Sequence, residues 1–210
     1  FAIFGHMSEQ ENKMHICFFG VGGVGGYFGA LLASHYQNNK NVFVHFVARG
    51  KHKEAILKNG LLLKKSGGEQ SIVAKPDTCT ETVDKLPVCD IIVLSVKGYD
   101  LNQAVEELSK IASEHTVILP LLNGVDIYER IRKNLSVGIV LPACVYVGTH
   151  IEKPGVIFQK GGSCRIQMGK EPLYPAFYPS TLIEMFKKSG IDIEWQEDVS
   201  SAIWTKYMFI

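Results

Sequence analysis

A chain of 210 residues that is 46% hydrophobic and 20% charged can bury a core, and it carries none of the compositional marks of disorder, collagen or a disulfide scaffold. A net charge of +1 gives no overall pull toward nucleic acid or anionic membrane, so any bound anion must be held by a local constellation. Five scattered cysteines without a C-x-x-C pair read as reduced thiols, no apolar run nears the ~20 residues that span a bilayer, and no secretory leader is visible; the expectation is a soluble cytoplasmic protein with no metal site.

Residues 1–13 read as a tag or vector remnant and disordered leader, because Gly5-His6-Met7 looks like the scar of a cleaved tag and its surroundings are patternless. Residues 15–20 (HICFFG) are a short apolar run. Glycines follow, and then Val24, Tyr27, Phe28, Leu31 and Leu32 at helical spacing, so the order is strand, tight turn, helix. Residues 41–48 and 90–96 are further strands, the latter apolar on successive positions as a strand covered on both faces must be. Asp100 is placed to cap a helix, with Gln103 at capping-box distance and Leu101, Ala104, Val105, Leu108 and Ile111 as its buried stripe. A fourth strand, 116–122, breaks at Asn123-Gly124 before a helix over 125–133.

Strands alternating with helices imply right-handed βαβ units, hence an α/β fold with a doubly wound parallel sheet. Between about 137 and 168 the β-rich runs around Lys153-Pro154-Gly155 and Gly161-Gly162 predict antiparallel strands extending that sheet. A helix over 182–188 and a strand over 191–195 complete a domain spanning 14–197. From Ser200 the sequence AIWTKYMFI is apolar almost all round; such a helix belongs inside something, and 198–210 reads as the first helix of a truncated all-helical domain.

Gly20-Val21-Gly22-Gly23-Val24-Gly25 matches G-x-G-x-x-G, here between a strand and a helix. Gly20 permits the tight turn, Gly22 lets a pyrophosphate approach the backbone, and Gly25 lets helix and strand pack closely, while the helix N-terminus offers free N–H groups to phosphate. The alternative is a plain structural turn. An NAD site normally supplies an acid for the ribose 2′-hydroxyl some 20 residues on. No acid occurs between Gly25 and Lys53; the second strand instead runs into Arg49-Gly50-Lys51-His52-Lys53. Missing acid and present base argue for NADP(H), with Arg49 gripping the 2′-phosphate, against a merely solvated basic loop.

Lys97 and Asn123 end the third and fourth strands, on the edge where ligands bind in such sheets, although each alone also reads as an ordinary loop residue. Lys206 is the sole charge in its apolar helix. It either snorkels to the surface or, if buried, has its pKa lowered toward working pH as a general acid requires.

Taken together, GVGGVGGYFGALLA, VARGKH, SVKGYD, LLNGVD and IWTKYMF resemble the ketopantoate reductase family in order and approximate spacing, over essentially 14–210. The resemblance implies a Rossmann-type fold and NADPH-dependent reduction of 2-dehydropantoate, a small 2-oxo acid, to pantoate on the route to pantothenate and coenzyme A. It implies pyrophosphate binding over Gly20, Val21, Gly22, Gly23, Val24 and Gly25 and 2′-phosphate binding by Arg49. Lys97 and Asn123 would contact cofactor and substrate, Lys206 would be the catalytic acid, and a homodimer fits. It also implies a further helical domain bearing a substrate-binding Ser and an active-site Glu. One position departs: the family's Asn one turn after the lysine is Ile210 here, which cannot hydrogen-bond. A reductase of another small 2-oxo acid, a related 3-hydroxy-acid or sugar-phosphate dehydrogenase, and a non-catalytic NADP(H)-binding redox sensor are the competing readings.

Overall fold

The computed structural model describes residues 13–67 and 70–210. The remnant expected over 1–13 therefore lies, apart from Lys13, outside the described residues. Among the described residues a parallel sheet of six strands has the order β5-β2-β1-β6-β7-β8, formed by β1 (Met14–Phe19), β2 (Val42–Val47), β5 (Thr78–Thr80), β6 (Ile91–Leu94), β7 (Val117–Pro120) and β8 (Ile139–Val140). From β1 the chain runs outward to β2 and later returns to β6 on β1's other edge, so the strand order reverses at β1. The crevice at the carboxyl ends of β1, β2 and β6 is the place where such sheets bind ligands.

Alternation along β1 explains the two cores. Ile16 and Phe18 face a cluster with α1 (Gly23–Tyr36), whereas Cys17 and Phe19 face a second cluster with α3 (Leu101–Leu108) and α4 (Ile127–Asn134). Phe18, Phe28 and Phe46 are completely buried in the first, each contributing about 1.5–3 kcal/mol of transfer free energy. The expected stripe of α3 is buried as predicted. Its capping box is not formed: Asp100 occupies the N-cap in an αR conformation and its side chain makes no capping bond, because a turn from Lys97, closed by the Asp100 N–H on the Lys97 carbonyl at 2.9 Å, leads directly into the helix. The expected helix over 125–133 starts later, at Ile127, after Gly124 at φ +140°.

The antiparallel pair expected over 137–168 is present as β9 (Ala143–Lys153) and β10 (Val156–Gly169), and it lies in a second sheet. β10 pairs in parallel with β3 (Leu61–Lys65) and with β11 (Asp192–Gln196), and β3 pairs with β4 (Ile72–Ala74). The β3–β4 pair leaves the first sheet after α2 (Gly50–Asn59) and nucleates this second layer. Helix α1 is held between the layers, touching β2 on one side and β3, β4, β9 and β10 on the other. Burial on both sides accounts for its apolar character, and its glycines allow the approach: a Cβ on Gly26 would lie 2.7 Å from Ile157.

Helix α5 (Ser180–Lys188) seats Leu182 and Phe186 on the first core. The last helix, α6 (Ser200–Phe209), has no buried residue; Trp204, Tyr207, Met208 and Phe209 are exposed. No helix among the described residues is long and apolar enough to cross a membrane.

Candidate active site

The glycine turn is fixed by close contacts everywhere except at one position. Gly20 has φ +96°, a left-handed conformation that side chains rarely adopt, and its N–H donates to the Val47 carbonyl at 3.1 Å. The Ser95 hydroxyl donates to the Gly20 carbonyl at 2.7 Å, clamping the turn to the end of β6. A Cβ on Gly25 would lie 2.1 Å from both the Gly20 oxygen and Ser95 Oγ, and one on Gly23 would lie 2.7 Å from the Thr149 carbonyl. At Gly22 a Cβ would meet nothing within 4 Å. Gly22 also caps α1, whose N-terminus receives no side-chain capping bond, so its first N–H groups remain available to an anion. A closed turn with one open position at an uncapped helix end fits a dinucleotide pyrophosphate.

This turn borders a cavity of about 350 Å³ that Gly20, Val21, Gly22, Arg49, Ser95 and Lys97 share. Gly23 and Gly25 do not line this cavity and serve packing; Val24 faces the neighbouring cavity. Arg49 is exposed at the N-cap of α2, and Lys97 is exposed beyond the end of β6. His52 also lines this cavity, with Nδ1 accepting the Gly155 N–H at 3.0 Å; burial lowers its pKa, so it is a neutral wall of the site.

Asn123 and Lys206, far apart in sequence, meet: Lys206 Nζ donates to Asn123 Oδ1 at 2.7 Å. The Lys206 side chain is half-buried, with Nζ 5.9 Å from the centre of the Tyr146 ring. Burial lowers its pKa, partly opposed by Cys144. The pair borders a second cavity of about 410 Å³ together with Val24, Tyr146, Phe209 and Ile210. Val24, the second residue of α1, lines the second cavity and not the first, while Lys97 lines the first and not the second.

Three residues here escape a reading of the sequence. Ser95 precedes Lys97 in SVKGYD and could have been suspected from that placement. Tyr146 sits in β9, whose pairing is long-range, and donates to the Ala202 carbonyl at 3.4 Å, helping to seat α6. Glu81 follows the three-residue β5, and its carboxylate accepts the Gly50 N–H at 2.8 Å and lies 3.3 Å from Lys53 Nζ. That N–H, then Lys53, then Arg49 hold its carboxyl below the usual range. No acid lies in the Gly25–Lys53 interval, yet one stands beside Arg49 in space.

A family model described as ketopantoate reductase PanE/ApbA matches residues 16–172. The chain belongs to the ketopantoate reductase family. This family comprises NAD(P)-dependent oxidoreductases with a Rossmann fold. The 2-dehydropantoate 2-reductase of Mesorhizobium japonicum is 28% identical over 92% of this chain, which spans 63% of that relative's length. A crystal structure of 2-dehydropantoate 2-reductase from Porphyromonas gingivalis is 31% identical, with a TM-score of 0.82, covering 94% of this chain and 69% of that one. A ternary structure of D-mandelate dehydrogenase with NADH and anilino(oxo)acetate, 22% identical with a TM-score of 0.70, covers 92% of this chain and 60% of that one; at this identity the likeness is one of fold alone.

Proposed function

We propose that the protein reduces 2-dehydropantoate to pantoate with NADPH, in the cytoplasm, on the route to pantothenate and coenzyme A. The observation that carries this reading is the Lys206–Asn123 hydrogen bond of 2.7 Å, beside a cavity that Val24 of α1 also lines. A bound nicotinamide would supply the hydride for the C2 ketone. Gly22 and the uncapped start of α1 receive the pyrophosphate, with Val21, Gly23 and Val24 setting the backbone and Gly25 its packing; Arg49 takes the 2′-phosphate, and Lys97 lies beside the glycine turn to contact cofactor. Asn123 orients the ammonium of Lys206, whose proton goes to the developing C2 alkoxide, a role worth roughly 10²–10⁴-fold in rate. Free cysteines support the reducing compartment.

In this reading 14–197 is the cofactor domain and α6 begins a helical domain. The exposed apolar residues of α6 support association, as that domain or a homodimer would provide. A monomer in light scattering would remove the dimer from the reading.

Ile210 borders the Lys206 cavity where the family pattern implies Asn, which favours a second reading: a small 2-oxo acid with an apolar side chain. The test compares NADPH oxidation with 2-dehydropantoate and with 3,3-dimethyl-2-oxobutanoate, which lacks only the terminal hydroxyl, in the parent and in Lys206→Ala. Preference for 2-dehydropantoate, abolished by Lys206→Ala, supports the proposal. Preference for the hydroxyl-free acid supports the second reading, and turnover unchanged in Lys206→Ala removes Lys206 from the mechanism.

A further inference from the structure

Beyond β2, three donors stand where the 2′-substituent of an adenine dinucleotide would lie: the Arg49 guanidinium, the Gly50 N–H and the Lys53 ammonium. Two of the three are already engaged by one carboxylate, since Glu81 accepts the Gly50 N–H at 2.8 Å and stands 3.3 Å from Lys53 Nζ. Among the described residues the Arg49 guanidinium makes no hydrogen bond, while the Arg49 carbonyl accepts the Lys53 N–H at 3.3 Å. It borders both the cavity at the glycine turn and an adjoining cavity of about 410 Å³ that contains Glu81, Asp84 and Gln103. The basic cluster visible in the sequence is therefore partly neutralised from β5, a strand away.

We propose that Glu81 is a specificity-determining residue that lowers the site's preference for a 2′-phosphorylated over an unphosphorylated adenine dinucleotide. The inference rests on the assignment of the 2′-phosphate to Arg49. A 2′-phosphate carries about −1.5 to −2 charges and would meet an ionised carboxylate beside the Arg49 guanidinium. A ribose 2′-hydroxyl is a neutral donor, and because Gly50 and Lys53 both meet Oε1 of Glu81, Oε2 is left to accept it. Glu81 thus supplies from the end of β5 the acid that such sheets usually carry at the end of β2.

The test is calorimetric titration of NADPH, NADH, 2′,5′-ADP and 5′-ADP into the parent, Glu81→Gln and Arg49→Ala. Glu81→Gln keeps the acceptor for Gly50 and removes only the charge. It should raise the NADPH-to-NADH affinity ratio by about three- to tenfold, the range of a surface charge pair, without tightening NADH. The gain should repeat with 2′,5′-ADP against 5′-ADP and shrink at high salt. Glu81→Ser should move the ratio in the same direction. An unchanged or lower ratio in the Glu81 variants, with Arg49→Ala still weakening NADPH, overturns the role of Glu81 alone. NADPH binding unaffected by Arg49→Ala overturns the phosphate assignment and this inference with it.

Discussion

Gly22→Ala and Gly25→Ala add the same methyl group three residues apart and should do opposite things. At Gly25 the new Cβ would sit 2.1 Å from the Gly20 carbonyl oxygen and from Ser95 Oγ. The first is backbone, so α1 must retreat by roughly an ångström and the 2.7 Å Ser95–Gly20 bond is lost. Overpacking at about 1–3 kcal/mol, plus about 1 kcal/mol for that bond, predicts a loss of about 2–4 kcal/mol, or roughly 5–15 °C in Tm for a chain of this size. At Gly22 nothing lies within 4 Å and φ is −83°, so alanine costs only the poorer N-cap, about 0.5–1 kcal/mol, and Tm should fall by no more than about 1–4 °C. The methyl group would instead stand in the space left for the pyrophosphate. Losing one charge-assisted bond there, worth roughly 1.5–3 kcal/mol, predicts NADPH binding weakened about ten- to a hundredfold. Differential scanning fluorimetry and NADPH fluorescence titration read the two effects separately. Gly22→Ala that melts as early as Gly25→Ala, or that binds NADPH as tightly as the parent, would refute the division of labour within the turn.

Burial lowers the pKa of Lys206, so kcat/KM should decline on the alkaline side before the ordinary lysine value near 10.5, and Lys206→Arg should erase that limb; a profile flat to pH 10 speaks against a proton from Lys206. Glu171 is completely buried and bonded to Arg132 at 2.8 Å and to the Tyr128 hydroxyl at 2.5 Å, which joins α4 to the end of β10; Glu171→Ala should cost about 3–5 kcal/mol in urea unfolding, and a loss below 1 kcal/mol would contradict that. His45 is buried with its pKa lowered from 6.5 to about 4, by burial first and His15 second. Its unfolded form takes a proton over that interval and its folded form does not, so stability should fall as pH drops from 6.5 toward 4, by at most about 3 kcal/mol, and His45→Gln should flatten the slope in urea titrations; equal slopes in parent and variant would dismiss it.

The first four strands of the expected order are legible because they are short apolar runs ending at Gly20, Arg49, Lys97 and Asn123, and burial on both faces dictates that pattern. β4 and β5 are three residues each and partly exposed, so no hydrophobic period announces them. Helix α2 begins inside the basic cluster and buries Ile56 alone, which leaves its sequence reading as a loop. The antiparallel pairing of β9 with β10 is local and visible. Its transfer to a second sheet depends on β3, a pairing between distant segments that no local signal carries. The same distinction holds in the site: each glycine, Arg49, Lys97, Asn123 and Lys206 stands at a strand end or in a helix recognisable by itself, whereas Glu81 matters only because β5 lies beside β2.

The glycine motif is complete in sequence at Gly25, but its pocket is not. α1 starts against Thr149 of β9, and the layer that encloses it needs Leu62 paired with Val156 and Ile166 with Ile193. During synthesis the cradle therefore stays open on one side until most of the chain has emerged, and contacts between such distant segments make folding slow. On the proposed reading, dinucleotide binding would be acquired late in folding, and cofactor would stabilise only chains in which both sheets already enclose α1.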